Sequence, residues 1–541
     1  MADPEHIVLS GTVTDLVEVE LIPGTEVMKD TEVFHPVHGK HNIILIPAPS
    51  KDPADPLNWT KTWKFAAVMI VALYTCFQAV AVLSMAPLFP LLEKEWNLKN
   101  SNQLTMITGS SVLVLGYGNF VVIPFSNVFG RRATVLIFGV LFLACQIWQA
   151  LAKSYGSFIG ARSLVGLAAS PSETIVVQVV ADIFFLHERG AWVGFSMLAA
   201  FLGTFLGPVI AGAMAEHHGW RSFFWLSLGI FAFIMVLIVV LFPETKYRRK
   251  LNEASTMGTV VLEDTSKPSV QHVDTSEQSA VVAPTGGGRP SMRQYLPIQR
   301  SDNRWKAFLI RDFFSPFRIV VYPIILWAAL CLTGPADLTL YYNLTESTIL
   351  SASPYNMHPI DVGYTNFAFA IGSVVGVLTA GPFSDWMIKR ATIRNNGIRE
   401  AEMRLPALIP FGIALAVGMA LTAAATQYRW PWPVLVVLGY GSAGLGITSV
   451  PTIGIAYAVD CYKPVSGELM VIATVMKNTS GFAMSYWVPS LGEAHGLMVP
   501  LMVWFTFTML PLFLAIPLWI WGKRLRRWTK DACVHKYEEL L

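Results

Sequence analysis

Pro124-Phe125-Ser126-Asn127 runs on to Arg131-Arg132, and Pro382-Phe383-Ser384-Asp385 runs on to Lys389-Arg390. In both copies an apolar stretch leads in, a basic pair follows at the same offset, and another apolar stretch leads away. The chain therefore reads as two related halves. Repeats on this scale suit paired membrane bundles that move against one another around a midplane site.

Composition places those halves in a bilayer. Of the 541 residues 53% are hydrophobic and only 14% charged, with a mean hydropathy of +0.50, whereas soluble domains carry about 25% charged residues. A formal charge of +3 gives no reason to expect a nucleic-acid partner. The five cysteines are scattered, without a CxxC pair, so neither a disulfide framework nor a zinc site is expected. The chain opens on Asp3, Glu5 and a polar stretch rather than the basic segment and apolar core of a cleavable leader, so insertion is expected to begin at the first span. His35, His38 and His41 in this tail are read as solvated, and no metal or cofactor is expected.

Stretches able to cross about 30 Å of hydrocarbon as helix fall at Phe65–Leu91, Leu104–Phe129, Ala133–Ala152, Phe158–Phe185, Trp192–Ala215 and Phe223–Phe242. After a gap they resume at Ile319–Tyr342, Val362–Ile388, Leu405–Ala425, Val434–Val459, Leu469–Leu491 and Leu497–Trp521. The expected fold is an all-α integral membrane protein with about twelve transmembrane helices in two pseudo-symmetric six-helix bundles. The bundles span residues 63–245 and 316–522, with tails at 1–62 and 523–541. Between them, 246–315 is rich in Ser, Thr, Gly and Pro and is expected to be a disordered linker.

Basic residues set the orientation. Arg131, Arg132, Arg189, the group Lys246 to Lys250, the group Lys389 to Arg404, Lys463 and the tail from Lys523 to Arg527 fall on one side, which is expected to be cytoplasmic together with both termini. The longest opposite loop carries Asn343-Leu344-Thr345, a sequon that marks Asn343 as a glycosylation candidate.

The fifth span contains Gly194, Gly203, Gly207-Pro208 and Ala211-Gly212. Small residues let helices approach closely, and Pro208 removes a backbone donor and bends the span. This spacing resembles motif C, the antiporter signature of the major facilitator superfamily, with Ala211 where a glycine is usual. The two cassettes resemble motif A of the same superfamily. Gly381, Asp385 and Arg390 fit it well, whereas Ile123 and Asn127 replace the glycine and aspartate ahead of Gly130, Arg131 and Arg132. Asn127 lacks the charge that would latch onto a helix dipole.

Asp55-Pro56-Leu57-Asn58-Trp59, Gly219-Trp220-Arg221 and Pro243-Glu244-Thr245 are similar to the fungal twelve-span drug:proton antiporter family. Ser170-Pro171-Ser172-Glu173 and Phe184 to Gly190 look most like its branch of polyamine and histidinol carriers and secondary-metabolite efflux pumps.

A charge at the centre of a spanning helix costs roughly 2.5–3.5 kcal/mol, so those that remain should face a cavity or a partner. Arg162 and Glu173, eleven residues apart, share a stripe to within about 20°, but a rise of about 16 Å keeps them from touching. The resemblance associates Arg162 with proton coupling. Glu173 is the preferred proton carrier, with a fixed structural ion pair as the alternative. Asp337 lies four residues before Tyr341, a pairing suited to a cation, with simple exposure at the outer mouth as the alternative. Lys477 with Asn478 could bind an anion or neutralise an acidic residue. Gln78 and Tyr440 complete the candidate substrate contacts.

The resemblance implies a proton-coupled transporter, not an enzyme, that exports a small organic molecule such as a drug, toxin or secondary metabolite by alternating access. The alternatives are proton-driven uptake of a polyamine-like cation and a non-transporting nutrient sensor. A monomer in the plasma membrane is expected, with the vacuole or another endomembrane as the alternative.

Overall fold

A computed structural model of the chain describes residues 6–9, 17–20, 25–27, 52, 55–98, 100–247, 288–296, 305–395, 398–462 and 466–529. His35, His38 and His41, the linker glycines Gly286 and Gly287, Lys463 and the last residues of the C-terminal tail lie outside them.

The first half comprises α1 (Lys61–Leu83), α2 (Phe89–Trp96), α3 (Ser101–Phe129), α4 (Arg131–Leu151), α5 (Tyr155–Ala169), α6 (Pro171–Ile183), α7 (Leu186–His218) and α8 (Trp220–Leu241). After α9 (Trp305–Ile319), the second half comprises α10 (Pro323–Leu350), α11 (Pro359–Arg394), α12 (Leu408–Tyr428), α13 (Gly441–Cys461), α14 (Ser466–His495) and α15 (Met498–Trp528). A π-helical segment, Val434–Tyr440, leads into α13. Among the described residues eleven helical units are long and apolar enough to span a bilayer. The thirty-residue α14 is not among them; it carries Lys477, Asn478, Thr479 and Ser480 in its middle.

Two expected spans are broken where the sequence demands it. Pro171 has no N–H to donate back into α5, so the fourth span restarts there as α6. The restart puts Glu173 in the first turn of α6, where the positive end of the helix dipole favours an anion. The first span ends at Leu83, followed by a 3₁₀ turn at Ala86–Leu88 that carries Pro87.

Two expectations need correction. The seventh span does not stop at Tyr342, because α10 continues to Leu350, and Asn343 is therefore helical. The linker is not wholly unstructured. Within it Gly288 bonds to Asn58 and Thr60, Gln294 accepts from the Glu244 amide, and α9 packs Phe313 and Phe317 on Phe120 of α3. The N-terminal tail also contains strands: β1 (His6–Leu9) pairs with β2 (Val17–Glu20), and β3 (Thr25–Val27) pairs antiparallel with β4 (Ile398–Glu400).

Candidate functional site

The two cassettes share one end of the bundles, the basic end, and both are tied by carboxylates. In the first, Gly130 has φ +102°, and an added Cβ would lie 2.2 Å from a Glu244 oxygen. The space goes to the Glu244 carboxylate, which accepts the Arg131 and Arg132 amides at 2.9 and 3.0 Å. Glu244 thus puts an anion at the N-terminus of α4, the charge that Asn127 cannot supply. Arg131 pairs with Asp182 at 2.9 Å, while Arg132 donates to the carbonyls of Ile238, Val239 and Phe242. In the second cassette Arg404 reaches Asp385 at 3.4 Å and Asp460 at 3.1 Å. Arg390 lies over Trp386 instead, 5.4 Å from the ring centre.

Small residues set the packing of α7, on α1 within its own half and on α11 at the seam between halves. A Cβ at Gly203 would lie 2.1 Å from the Cys76 carbonyl, and one at Gly207 2.0 Å from the Ser84 hydroxyl, so both glycines seat α7 on α1. Gly212 meets Pro359 of α11, and Pro208 meets Gly363. A second seam runs along α3 and α14, where Asn102 donates to Ser490 at 3.1 Å and Thr105 to the Ser485 carbonyl at 2.7 Å. Both seams lie between the midplane and the end opposite the cassettes.

Beneath them is a central cavity of about 170 Å³, lined from both halves. Its polar residues include Gln78, Glu173, Asp337, Asn343, Asn366, Thr474, Lys477 and Asn478. Lys477 of α14 forms an ion pair with Glu173 of α6, joining the halves. Asn119 and Asn478 donate to the other Glu173 oxygen at 3.3 and 3.0 Å. Asp337, 3% exposed, accepts from Ser480. Phe205 and Phe369 stack across the cavity at 5.4 Å.

Not every expected site residue reaches this cavity. Tyr341 does not share a cavity face with Asp337; it is buried and donates to the Leu497 carbonyl at 2.6 Å. Tyr440 sits behind the wall, stacked on Phe369 at 4.3 Å. Arg162 is fully buried and lines no part of the cavity. Its five N–H groups donate to the carbonyls of Ile107, Ala81 and Val82, to Gln149 and to Ser111. It is a cap for the end of α1, not a neighbour of Glu173. Asn343 also caps that end: it is 6% exposed, lines the cavity, and donates to the Leu83 carbonyl across the halves. A buried helical asparagine offers an oligosaccharide no room, so the glycosylation expectation at Asn343 is corrected to a cavity contact.

Glu346 was missed. It is fully buried on the extension of α10, with both oxygens accepting from Asn366 at 3.2 and 3.0 Å. Its signal was a single acidic residue in the stretch between Leu344 and Ile349, hidden because its immediate neighbours Thr345 and Ser347 are polar and the span was taken to end earlier.

Comparison with known proteins agrees with this architecture. An uncharacterised transporter of the same type from Schizosaccharomyces pombe is 28% identical, covering 94% of each chain. The protein HOL1 of Saccharomyces cerevisiae is 27% identical over 90% of this chain and 91% of its own. The efflux pump radE of Floropilus chiversii is 24% identical over 88% and 83%. Among solved structures, the Escherichia coli xylose transporter XylE in a partially occluded inward-open conformation superposes with a TM-score of 0.57 at 14% identity, covering 85% of this chain and 98% of its own. The human organic anion transporter MFSD10 gives 0.53 at 16%, covering 84% and 99%. These likenesses support the fold. The sequence profile of the Major Facilitator Superfamily matches residues 68–464, and with paired bundles, a shared cavity and two tied cassettes the chain belongs to that superfamily as a multi-pass membrane transporter rather than an enzyme.

Proposed function

We propose that the chain is a proton-coupled secondary transporter that exports a small organic molecule by alternating access. The supporting observation is the Glu173–Lys477 pair, which crosses the halves inside the cavity. A proton on Glu173 cancels the carboxylate that holds Lys477 and weakens the tie on one side of the cavity; loss of the proton restores it. Substrate enters the cavity in one state and leaves in the other. The efflux pump among the relatives favours export, with the basic end and both termini in the cytoplasm and the plasma membrane as the site. Arg162 takes part by fixing α1 beside the cavity.

A second reading, uptake of a polyamine-like cation, is favoured by the cavity wall. Gln78 and Asn343 donate to the Ala168 and Leu83 carbonyls, and their side-chain oxygens have no hydrogen-bond partner among the described residues. With Asp337 these residues place acceptor oxygens within the cavity wall, buried just behind its surface, an arrangement that suits a protonated amine. Proteoliposomes test both readings. An imposed pH gradient should drive flux of a cationic or amphipathic compound, and Glu173→Gln should abolish its dependence on the gradient. Unchanged proton dependence would exclude Glu173. Unchanged affinity for all cationic substrates in Asp337→Asn would exclude cation recognition there.

A further inference from the structure

A second cavity, of about 580 Å³, opens at the basic end between α11, α15 and the turn Ala401–Ala407, far from the central one. Its charged lining is Arg390, Arg394, Lys523, Glu400 and Glu402. Both carboxylates are engaged: Lys523 binds Glu400 at 2.7 Å, and Arg526 holds Glu402 through two hydrogen bonds. That leaves Arg390 and Arg394. They lie four residues apart on α11, so both guanidinium groups project from one face of the helix. Neither forms an ion pair among the described residues; Arg390 only rests its guanidinium on Trp386.

Apart from Asn395 the remaining wall is apolar, and its α15 side faces outward. Trp519 and Ile520 are 57% and 60% exposed, and Trp386 on the neighbouring helix is 52% exposed. They lie where α11 and α15 reach the end of the spanning region, the depth at which tryptophans meet the headgroup layer. Two unmatched guanidinium groups above an exposed tryptophan and isoleucine present a phosphate-binding fork over an acyl-chain surface. A free phosphate would use the fork and leave the apolar lip bare. A glycerophospholipid would use both.

We propose that this cavity binds one membrane glycerophospholipid with an anionic headgroup, its phosphate between Arg390 and Arg394 and its acyl chains along Trp519 and Ile520. Anionic lipid is attracted to basic pockets between spanning helices on the cytoplasmic face. The site is independent of the transported substrate, and its test does not require one.

The test uses the full chain purified in detergent and titrated with phosphatidylserine, with phosphatidylcholine, or with inorganic phosphate alone. Thermal unfolding and native mass spectrometry report binding. Phosphatidylserine should raise Tm saturably and appear as one retained lipid per chain, while phosphatidylcholine and phosphate should do neither. With about a fivefold contribution from each arginine, Arg390→Gln with Arg394→Gln should weaken phosphatidylserine binding about twenty-fivefold. Arg390→Lys with Arg394→Lys guards against misfolding, because it keeps the charge and should retain much of the binding. Equal stabilisation by phosphatidylcholine would overturn the proposal, as would an equal shift with phosphate alone. So would unaltered lipid retention in the glutamine variant.

Discussion

Replacing Glu173 with glutamine keeps the shape of the side chain and a carbonyl for Asn119 or Asn478, but takes from Lys477 its ion-pair partner across the halves and leaves only the more distant Asp337 as a carboxylate in the same cavity. The Glu173 and Lys477 side chains are 15% and 21% exposed, so screening is partial. At an effective dielectric near 20, two unit charges about 4 Å apart attract by about 4 kcal/mol. Resolvation of both groups when the halves separate returns part of this, leaving about 2 kcal/mol in favour of the joined state, or about thirtyfold in population. The seam that would open includes the end of α14, where Ser485 and Ser490 meet Thr105 and Asn102. Hydrogen–deuterium exchange in Ser485–His495 should therefore quicken by about ten- to thirtyfold in Glu173→Gln. Adding Lys477→Gln removes the unmatched cation and should recover much of the protection. Exchange unchanged in the single variant, or effects that merely add in the double one, would refute the idea that this pair biases the halves.

Other outcomes follow from the packing. Arg162→Leu leaves the Ala81 and Val82 carbonyls without their donors, and should cost about 3 kcal/mol or more, read as a large drop in Tm. Gly203→Val drives a side chain into the Cys76 carbonyl. It should separate α7 from α1, with a loss of about 2 kcal/mol in thermal unfolding and a reduced transport rate. Glu244→Gln removes the anion from the N-terminus of α4 and should destabilise by about 1 kcal/mol, measured in the same way. Glycosidase treatment should not alter electrophoretic mobility any more than it does in Asn343→Gln, because position 343 is buried.

The paired halves were legible because apolar length and cassette repetition are properties of local sequence. Close packing at Gly203, Gly207 and Gly212 was legible for the same reason: absence of a side chain permits contact whatever the partner. Partners were not legible. Lys477 is some three hundred residues from Glu173, and nothing in its neighbourhood distinguishes a substrate contact from an ion pair across the halves. The surroundings of Arg162 were not legible either, because three of its five partners are backbone carbonyls, which leave no mark in the sequence. Asn343 and Glu346 were misplaced together by ending the seventh span at Tyr342. A polar segment near a span end reads as loop until helix packing buries it. Asp337 was read onto a face with Tyr341 from helical spacing alone, and the packing of α10 against its neighbours sent the tyrosine elsewhere.

The last four carbonyls of α1 are capped by three side chains: Val80 by Ser84, Ala81 and Val82 by Arg162, and Leu83 by Asn343. Three of those caps travel with their own half of the molecule. Only the Leu83 acceptor must exchange its amide donor for water when the halves move apart, a trade worth about 1 kcal/mol. The helix end can thus be wetted and dried on every cycle without unravelling.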